Sequence, residues 1–463
     1  MDKADIGLIG LGTMGSALAL NIAEKGFKVA VWNRTAATTQ AFVKEAGDLA
    51  ANVVATDTLE ELTTALIGPR AIILMVPAGA PVDQQIAALD PFLDPDDMVI
   101  DAGNANFRDT IRRMEDLTRP FLGIGVSGGE EGARHGPAIM GGGDPAHWAR
   151  VEPILTAIAA KFEDTPCANL MGENGAGHFV KAVHNGIEYA DMQLIAEVYG
   201  LMRDGLSMDA AATGEIFADW NKGRLSSYLI ETSAAVARAH DAATDAPLLD
   251  VIVDAAGQKG TGRWTAIEAQ HLGTPIPVIE AAVAARNMSA QRGLRSDLAE
   301  TFGGVNEIDI PIDILEAALT CGKVLCYTQG FDMLRAAASA FHWSLKPEVI
   351  ARNWRAGCII RSAMLDDMAE AFETAPDGTL MAAPYFADIL AETIGALRET
   401  VIAANGAGLP VPAMSAALAY FDTMRQARGT ANMIQGQRDH FGLHGFERLD
   451  SGAKDQHGPW AGV

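Results

Sequence analysis

Residues 6–35 read IGLIGLGTMGSALALNIAEKGFKVAVWNRT. Ile6 to Gly10 is a short apolar strand, Thr13 to Lys25 carries the apolar spacing of a helix, and Lys28 to Trp32 is a second strand. Gly10, Gly12 and Gly15, in GLGTMG, stand between the first strand and the helix. The first glycine allows a tight turn, the second lets the backbone approach a pyrophosphate, and the third lets helix and strand pack closely. The helix N-terminus then offers unpaired N–H groups and the positive end of its dipole to phosphate. In this context the motif predicts dinucleotide binding on a Rossmann-type fold.

The end of the second strand selects the dinucleotide. Folds of this kind that bind NAD usually place an Asp or Glu there, to accept the ribose hydroxyls. This chain has Asn33, Arg34 and Thr35 instead. No carboxylate repels a 2′-phosphate, and Arg34 offers a planar guanidinium to bind or stack on it, although a surface Arg in a loop has the same appearance. NADP is the expected cofactor. Further buried strands are read at Ala71 to Val76 (AIILMV), Met98 to Ile100 and Leu122 to Val126. Continuous apolar strands between amphipathic helices indicate a parallel, doubly wound sheet. From about Gly175 the pattern turns helical and stays so to about Arg428. The expected organisation is an α/β Rossmann-type domain over 1–175, a large all-α domain over 176–428 and a Gly-rich, polar tail over 429–463. Such a tail reads as disordered by composition, yet RDHFGLHGFER (Arg438 to Arg448) groups aromatic rings with cations.

At 463 residues, 49% of them apolar, the chain can bury two cores. A net charge of −24 argues against nucleic acid or an anionic membrane as partner, so an anionic substrate requires a local cluster of cations. Cys167, Cys321, Cys326 and Cys358 form no CxxC pair and read as buried thiols in a reducing compartment. The N-terminus has no signal-type apolar region and no apolar run reaches membrane-spanning length. A cytoplasmic, soluble protein is expected.

The chemistry gathers in HFVKAVHNGIEYADMQL (His178 to Leu194). On a helix, Lys181, His184, Asn185 and Glu188 share one face. That spacing also suits a solvated face, but an amine, an imidazole, an amide and a carboxylate beside Val180, Val183 and Ile187 are equipped for proton transfer. Three other segments add polar groups. DAGNANFRD (Asp101 to Asp109) puts Asn104 at the carboxyl edge of the sheet, within reach of nicotinamide or substrate. VSGGEEGARHGPAIMGGG (Val126 to Gly143) reads as a glycine-rich loop, either a flexible turn or a carboxylate receptor built on Ser127, Gly128 and Gly129. GQKGTGRWT (Gly257 to Thr265) interleaves glycine with Lys259, Thr261 and Arg263, and Arg286 follows in VAARNM. It suits a phosphate but lacks the spacing of a Walker loop.

Taken in order, GLGTMG with NRT, GVSGGEEGARHGP, KAVHNGIEYADMQLIAE, GQKGTGRWT and RDHFGLHGFER resemble the decarboxylating 6-phosphogluconate dehydrogenases over nearly the whole chain. The resemblance implies oxidation of 6-phosphogluconate by NADP with release of CO2 and ribulose 5-phosphate, a pentose phosphate pathway step. It implies Lys181 as general base and then acid, and Glu188 as the acid that protonates C1. No metal is required, because the 3-keto group is itself the electron sink. Ser127, Gly128 and Gly129 match the carboxylate end. Asn104, His184 and Asn185 match groups that hold the sugar hydroxyls, while Tyr189, Lys259, Thr261 and Arg286 match the phosphate end. Gly10, Gly12, Met14, Gly15, Asn33, Arg34, Thr35 and Asn104 fall on the cofactor side. Arg438 and His444 match residues that the family donates to the neighbouring subunit, which implies a homodimer. The chain departs from the pattern at Pro77, where a Lys is common, at His440, where a Tyr is usual, and in its last residues, DSGAKDQHGPW. Two other readings are a hydroxyisobutyrate-type dehydrogenase of the wider β-hydroxyacid dehydrogenase superfamily and a non-catalytic NADP-binding protein.

Overall fold

A computed structural model describes residues 3–258 and 260–461, so the expectation placed on Lys259 lies outside the described residues. The first half of the chain supplies ten strands: β1 (Ile6–Ile9), β2 (Val29–Trp32), β3 (Val53–Ala55), β4 (Ala71–Leu74), β5 (Met98–Asp101), β6 (Phe121–Val126), β7 (Ile139–Gly143), β8 (Lys161–Phe162), β9 (Thr165–Pro166) and β10 (Ala168–Gly172). Eight of them form one sheet in the order β10-β7-β6-β5-β4-β1-β2-β3. The order reverses beside β1, which pairs with β2 on one side and β4 on the other. A crevice outside the carboxyl ends of β1 and β4 is therefore the expected dinucleotide site.

Seven helices connect these strands: α1 (Thr13–Glu24), α2 (Ala36–Glu45), α3 (Leu59–Thr64), α4 (Ala80–Leu89), α5 (Phe107–Asp116), α6 (Gly129–His135) and α7 (Pro145–Ile158). Leu8 and Ile73 pack with Leu18, Ile22 and Trp148 on one face, whereas Ile9 and Ile72 pack with Leu62, Val82 and Leu89 on the other. Burial on both faces explains why the strands read as continuous apolar runs.

Two sequence expectations are corrected here. The sheet is not wholly parallel: β7 runs antiparallel to β6, with Ile124 opposite Gly141. The segment Val126 to Gly143 is not a loop throughout, because it contains α6 and β7. Glycine replaces apolar side chains in β7 because neighbours come too close. A Cβ on Gly141 would enter the Trp148 ring, and one on Gly142 would strike the backbone at Asn174 and Gly177.

The second half is helical: α8 (Ala176–Gly200), α9 (Ala210–Trp220), α10 (Tyr228–Arg238), α11 (Leu248–Val251), α12 (Thr261–Leu272), α13 (Pro277–Ser289) and α14 (Arg292–Phe302). The long α15 (Ile312–Phe341) follows, then α16 (Pro347–Asn353), α17 (Met364–Thr374), α18 (Pro384–Ala407), α19 (Pro412–Met424) and α20 (Ala431–Gly442). α8 is the axis, packing against β6 and β7 at its start and against α12, α13 and α15 further on. Among the described residues no helix is long and apolar enough to cross a membrane. All four cysteines are free and buried, as their sequence context predicts.

Candidate active site

The site is built where α8 leaves the sheet. Phe179, Val180, Val183 and Ile187 fill the helical core and fix the rotation of α8. Lys181, His184, Asn185 and Glu188 then share another face, one turn apart. The fit depends on glycine in β6. A side chain on Gly125 would collide with Cβ and Cγ of Lys181, and one on Gly123 would lie 2.9 Å from His178 Nδ1. Gly177 completes the contact, since its own Cβ would lie 2.6 Å from the carbonyl oxygen of Gly123. Helix and strand thus approach closely enough to bury an amine at their junction.

Lys181 Nζ donates to Ser127 Oγ at 3.0 Å and lies 3.3 Å from His184 Nδ1. Ser127 Oγ is 3.2 Å from His184 Nε2, and His184 Nδ1 is 2.9 Å from the Asn185 side-chain oxygen. One proton assignment satisfies Ser127, His184 and Asn185: Nδ1–H donates to Asn185, and the Ser127 hydroxyl donates to Nε2, which leaves the approach of Lys181 to Nδ1 as a contact without a hydrogen bond. Burial holds His184 neutral, its pKa far below the ordinary imidazole value, with the neighbouring Lys181 acting in the same direction and the Asn185 hydrogen bond opposing it. Burial also lowers the pKa of Lys181, against the attraction of Glu188 and Cys358. The carboxyl of Glu188 is pushed up by desolvation, partly offset by Lys181 and Arg286. An amine moved toward neutrality beside a carboxyl moved toward protonation is a pair able to take one proton and give another.

The remaining site residues lie beside this pair. Asn104, exposed on the loop after β5, donates from Nδ2 to Thr261 Oγ1 at 2.6 Å, which ties that loop to the first turn of α12. Thr265 reaches from α12 to the carbonyl oxygen of Ala182 at 2.7 Å and fits where Gly186 has no side chain. The Arg286 guanidinium stands 3.5 Å over the ring of Tyr189, and that ring packs on Gly262. Ser127 is buried rather than presented on an open loop, its hydroxyl already held by Lys181 and His184. Gly128 and Gly129 follow with φ of 104° and 64°, and a Cβ at Gly128 would meet the Gly357 carbonyl oxygen at 2.6 Å. Thr265, Gly125 and the indole of Trp354 against His184 belong to the site but are not singled out by the sequence reading.

The dinucleotide crevice has the features its glycines predict. Gly10 has a φ of 100° and no room for a Cβ beside the Met75 carbonyl oxygen. A Cβ on Gly15 would overlap the carbonyl oxygen of Gly10. Gly12 faces open space, so nothing obstructs a pyrophosphate at the N-terminus of α1. Asn33 accepts from the Leu11 N–H at 3.0 Å and anchors the glycine loop to the end of β2, with Arg34 and Thr35 exposed beside it and Met14 half-buried in the first turn of α1. The residues present fit a dinucleotide. Arg438 and His444 are not part of this constellation. They are exposed, and the hydrogen bonds described for residues 430–461 all close within that stretch.

Comparison with known proteins places this geometry. Residues 5–172 match the model of the NAD binding domain of 6-phosphogluconate dehydrogenase, and residues 177–460 match that of its C-terminal domain. The NADP(+)-dependent, decarboxylating 6-phosphogluconate dehydrogenase of Bacillus subtilis is 45% identical over 460 residues, covering 97% of this chain and 98% of its own length. The decarboxylating 6-phosphogluconate dehydrogenase of Schizosaccharomyces pombe is 44% identical, with 100% and 97% covered. Among solved structures, Plasmodium falciparum 6-phosphogluconate dehydrogenase, determined alone, with NADP+ and with 6-phosphogluconate, superposes with a TM-score of 0.95 at 39% identity, covering 98% of this chain and 100% of that one.

Proposed function

The chain belongs to the 6-phosphogluconate dehydrogenase family, and from that premise we propose how its residues divide the reaction. The protein oxidises and decarboxylates 6-phosphogluconate to ribulose 5-phosphate and CO2 with reduction of NADP. Bound NADP supplies the hydride acceptor. Neutral Lys181 takes the proton of the C3 hydroxyl as hydride leaves C3. The ammonium so formed donates to the new 3-keto oxygen while the C1–C2 bond of the β-keto acid breaks and CO2 departs. Glu188 then protonates the former C2 of the substrate, which becomes C1 of ribulose 5-phosphate. The observation that carries this assignment is the buried Lys181 amine, hydrogen-bonded to Ser127 and one turn from neutral His184.

Ser127 with Gly128 and Gly129 receives the substrate carboxylate. Asn104, His184 and Asn185 hold the hydroxyls, and Tyr189, Thr261, Arg286 and Lys259 take the phosphate. Cations at that end meet the need for local positive charge in a chain of net charge −24. Gly10, Gly12, Met14, Gly15, Asn33, Arg34, Thr35 and Asn104 take the cofactor. We assign residues 1–175 to the cofactor, 176–428 to substrate and dimerisation, and 429–463 to a tail that brings Arg438 and His444 into the neighbouring subunit's site. We place the enzyme in the cytoplasm, where its nucleotide cofactor and four free thiols are at home.

The test follows NADP reduction while CO2 is trapped. The two products should appear in equal amounts, gluconate without its phosphate should lose about 10³-fold or more in kcat/KM, and Arg34→Ala should cut the preference for NADP over NAD by about tenfold. Cofactor reduction without CO2 would redirect the assignment to a simple alcohol oxidation. Tail exchange is tested by mixing two variants, Lys181→Met (intact tail, dead site) and Arg438→Ala/His444→Ala (intact site, defective tail). After subunit exchange, about a quarter of the sites should combine good parts and regain activity. No recovery in demonstrated mixed dimers would mean that each tail serves its own subunit or none.

A further inference from the structure

The tail is short of apolar residues, yet it is folded, and one carboxylate accounts for this. Asp439, in α20, is fully buried and accepts four hydrogen bonds from two later segments of the tail. Its Oδ1 accepts from the Gly445 N–H at 2.9 Å and from His457 Nδ1 at 2.7 Å. Its Oδ2 accepts from the Gly458 N–H and from Trp460 Nε1, each at 2.9 Å. Two donors on each oxygen fill the acceptor capacity of a carboxylate. The chain between them closes as a hairpin, with Phe446 and Gln456 exchanging backbone hydrogen bonds at 2.8 and 3.0 Å.

The two family-matched tail residues sit at the rim of this hub. Arg438 directly precedes Asp439 and donates to Gln435 Oε1 at 3.0 Å. Gln435 in turn donates to the carbonyl oxygen of Gly445, the residue whose N–H Asp439 holds. His444 directly precedes Gly445. Its ring folds back over Gly442, where a Cβ would lie 2.6 Å from Nε2. Leu443, between them, has a left-handed φ of 48°, a conformation that a leucine keeps only when its surroundings enforce it.

We propose that Asp439 is a positioning residue for substrate: by gathering Gly445, His457, Gly458 and Trp460 around one carboxylate, it presets Arg438 and His444 as a rigid unit before the tail meets the neighbouring subunit. The inference rests on the reading that those two residues reach substrate there. Asp439 itself is sealed inside the tail and acts only through its neighbours. Preorganisation of this kind lowers the ordering cost at binding, so its loss appears chiefly in KM.

Asparagine at 439 keeps the size but turns a donor toward two of the four donors. Asp439→Asn should raise KM for 6-phosphogluconate at least about tenfold, with kcat and KM for NADP within about threefold of the parent. Gly458→Ala, whose added carbon would strike the Trp460 ring, should reproduce the effect by another route. On an Arg438→Ala/His444→Ala background, Asp439→Asn should add less than about twofold to the loss in kcat/KM. A full additional tenfold there, or an unchanged KM in both Asp439→Asn and Gly458→Ala, overturns the proposal while leaving the tail assignment intact. If Arg438→Ala/His444→Ala itself leaves KM unchanged, the tail assignment fails, and the role of Asp439 fails with it. Loss of the main melting transition in Asp439→Asn would assign the residue to global stability and also overturn the proposal.

Discussion

Lys181→Met should lower kcat by at least about 10³-fold while leaving the protein folded and able to bind NADP, because a positioned base of this kind contributes about 10²–10⁴-fold on its own. Methionine has nearly the length of lysine and no charge, so the slot opened by Gly125 stays filled. Burying an amine costs desolvation that a thioether does not incur, so the melting temperature should hold or rise slightly. The Ser127 hydroxyl loses its donor at 3.0 Å but keeps His184 Nε2 as acceptor, so no buried polar atom is stranded. Lys181→Arg is the sharper companion. It retains the positive charge, but a guanidinium is never neutral near pH 7 and cannot remove a proton. Steady-state kinetics, a thermal melt and NADP binding by fluorescence separate the possibilities. Either variant keeping more than about a tenth of the parent kcat would show that the C3 proton leaves by another route.

How much of this was legible in the chain varied with how local the cause was. GLGTMG could be read directly because its constraints arise within a few residues: a positive φ at Gly10, close packing at Gly15 and open space at Gly12. The polar face of α8 was legible because helical spacing is fixed. β7 was not, since IMGGG has the composition of a loop and becomes a strand only where Trp148 and Gly177 crowd it. The signal for a deep lysine slot was in fact present as Gly123 and Gly125 in FLGIGV, glycines inside a strand that mark close approach by another chain segment. The engagement of Ser127 by Lys181 and His184 joins residues 54 and 57 positions apart, and no local pattern announces it. The buried ion pair of Lys323 with Asp191, at 2.6 Å and 132 positions apart, was equally invisible. The tail misled for the opposite reason. Its composition argues for disorder, but four directed hydrogen bonds to Asp439 order it without an apolar core.

Glu188→Gln should lower turnover by about 10²-fold or more and also change the form of the pH profile, which is the stronger test. The productive state has Lys181 neutral and Glu188 protonated. Burial moves the two toward each other, lowering the amine and raising the carboxyl. The alternative state, ammonium with carboxylate, holds the same single proton, so the ratio of the two states does not vary with pH. Activity should therefore form a bell. On the acid side a second proton enters and the base is lost. On the alkaline side the shared proton leaves and the acid is lost. The buried neighbours titrate elsewhere: His184 is held neutral far below its ordinary range, and burial pushes the Cys358 thiol up to about 12. Glutamine cannot lose a proton, so its variant should show no alkaline limb from this pair. It also withdraws the negative charge that holds the Lys181 pKa up, so the remaining ionisation should move to lower pH. The expected profile rises through one midpoint, more acidic than the alkaline midpoint of the parent, and then stays level. Glu188→Asp, which keeps an ionisable carboxyl at shorter reach, should restore the alkaline limb at reduced kcat. If Glu188→Gln kept both limbs at their original positions, Glu188 would not be the acid that protonates C1, and a group outside this pair would supply the alkaline limb.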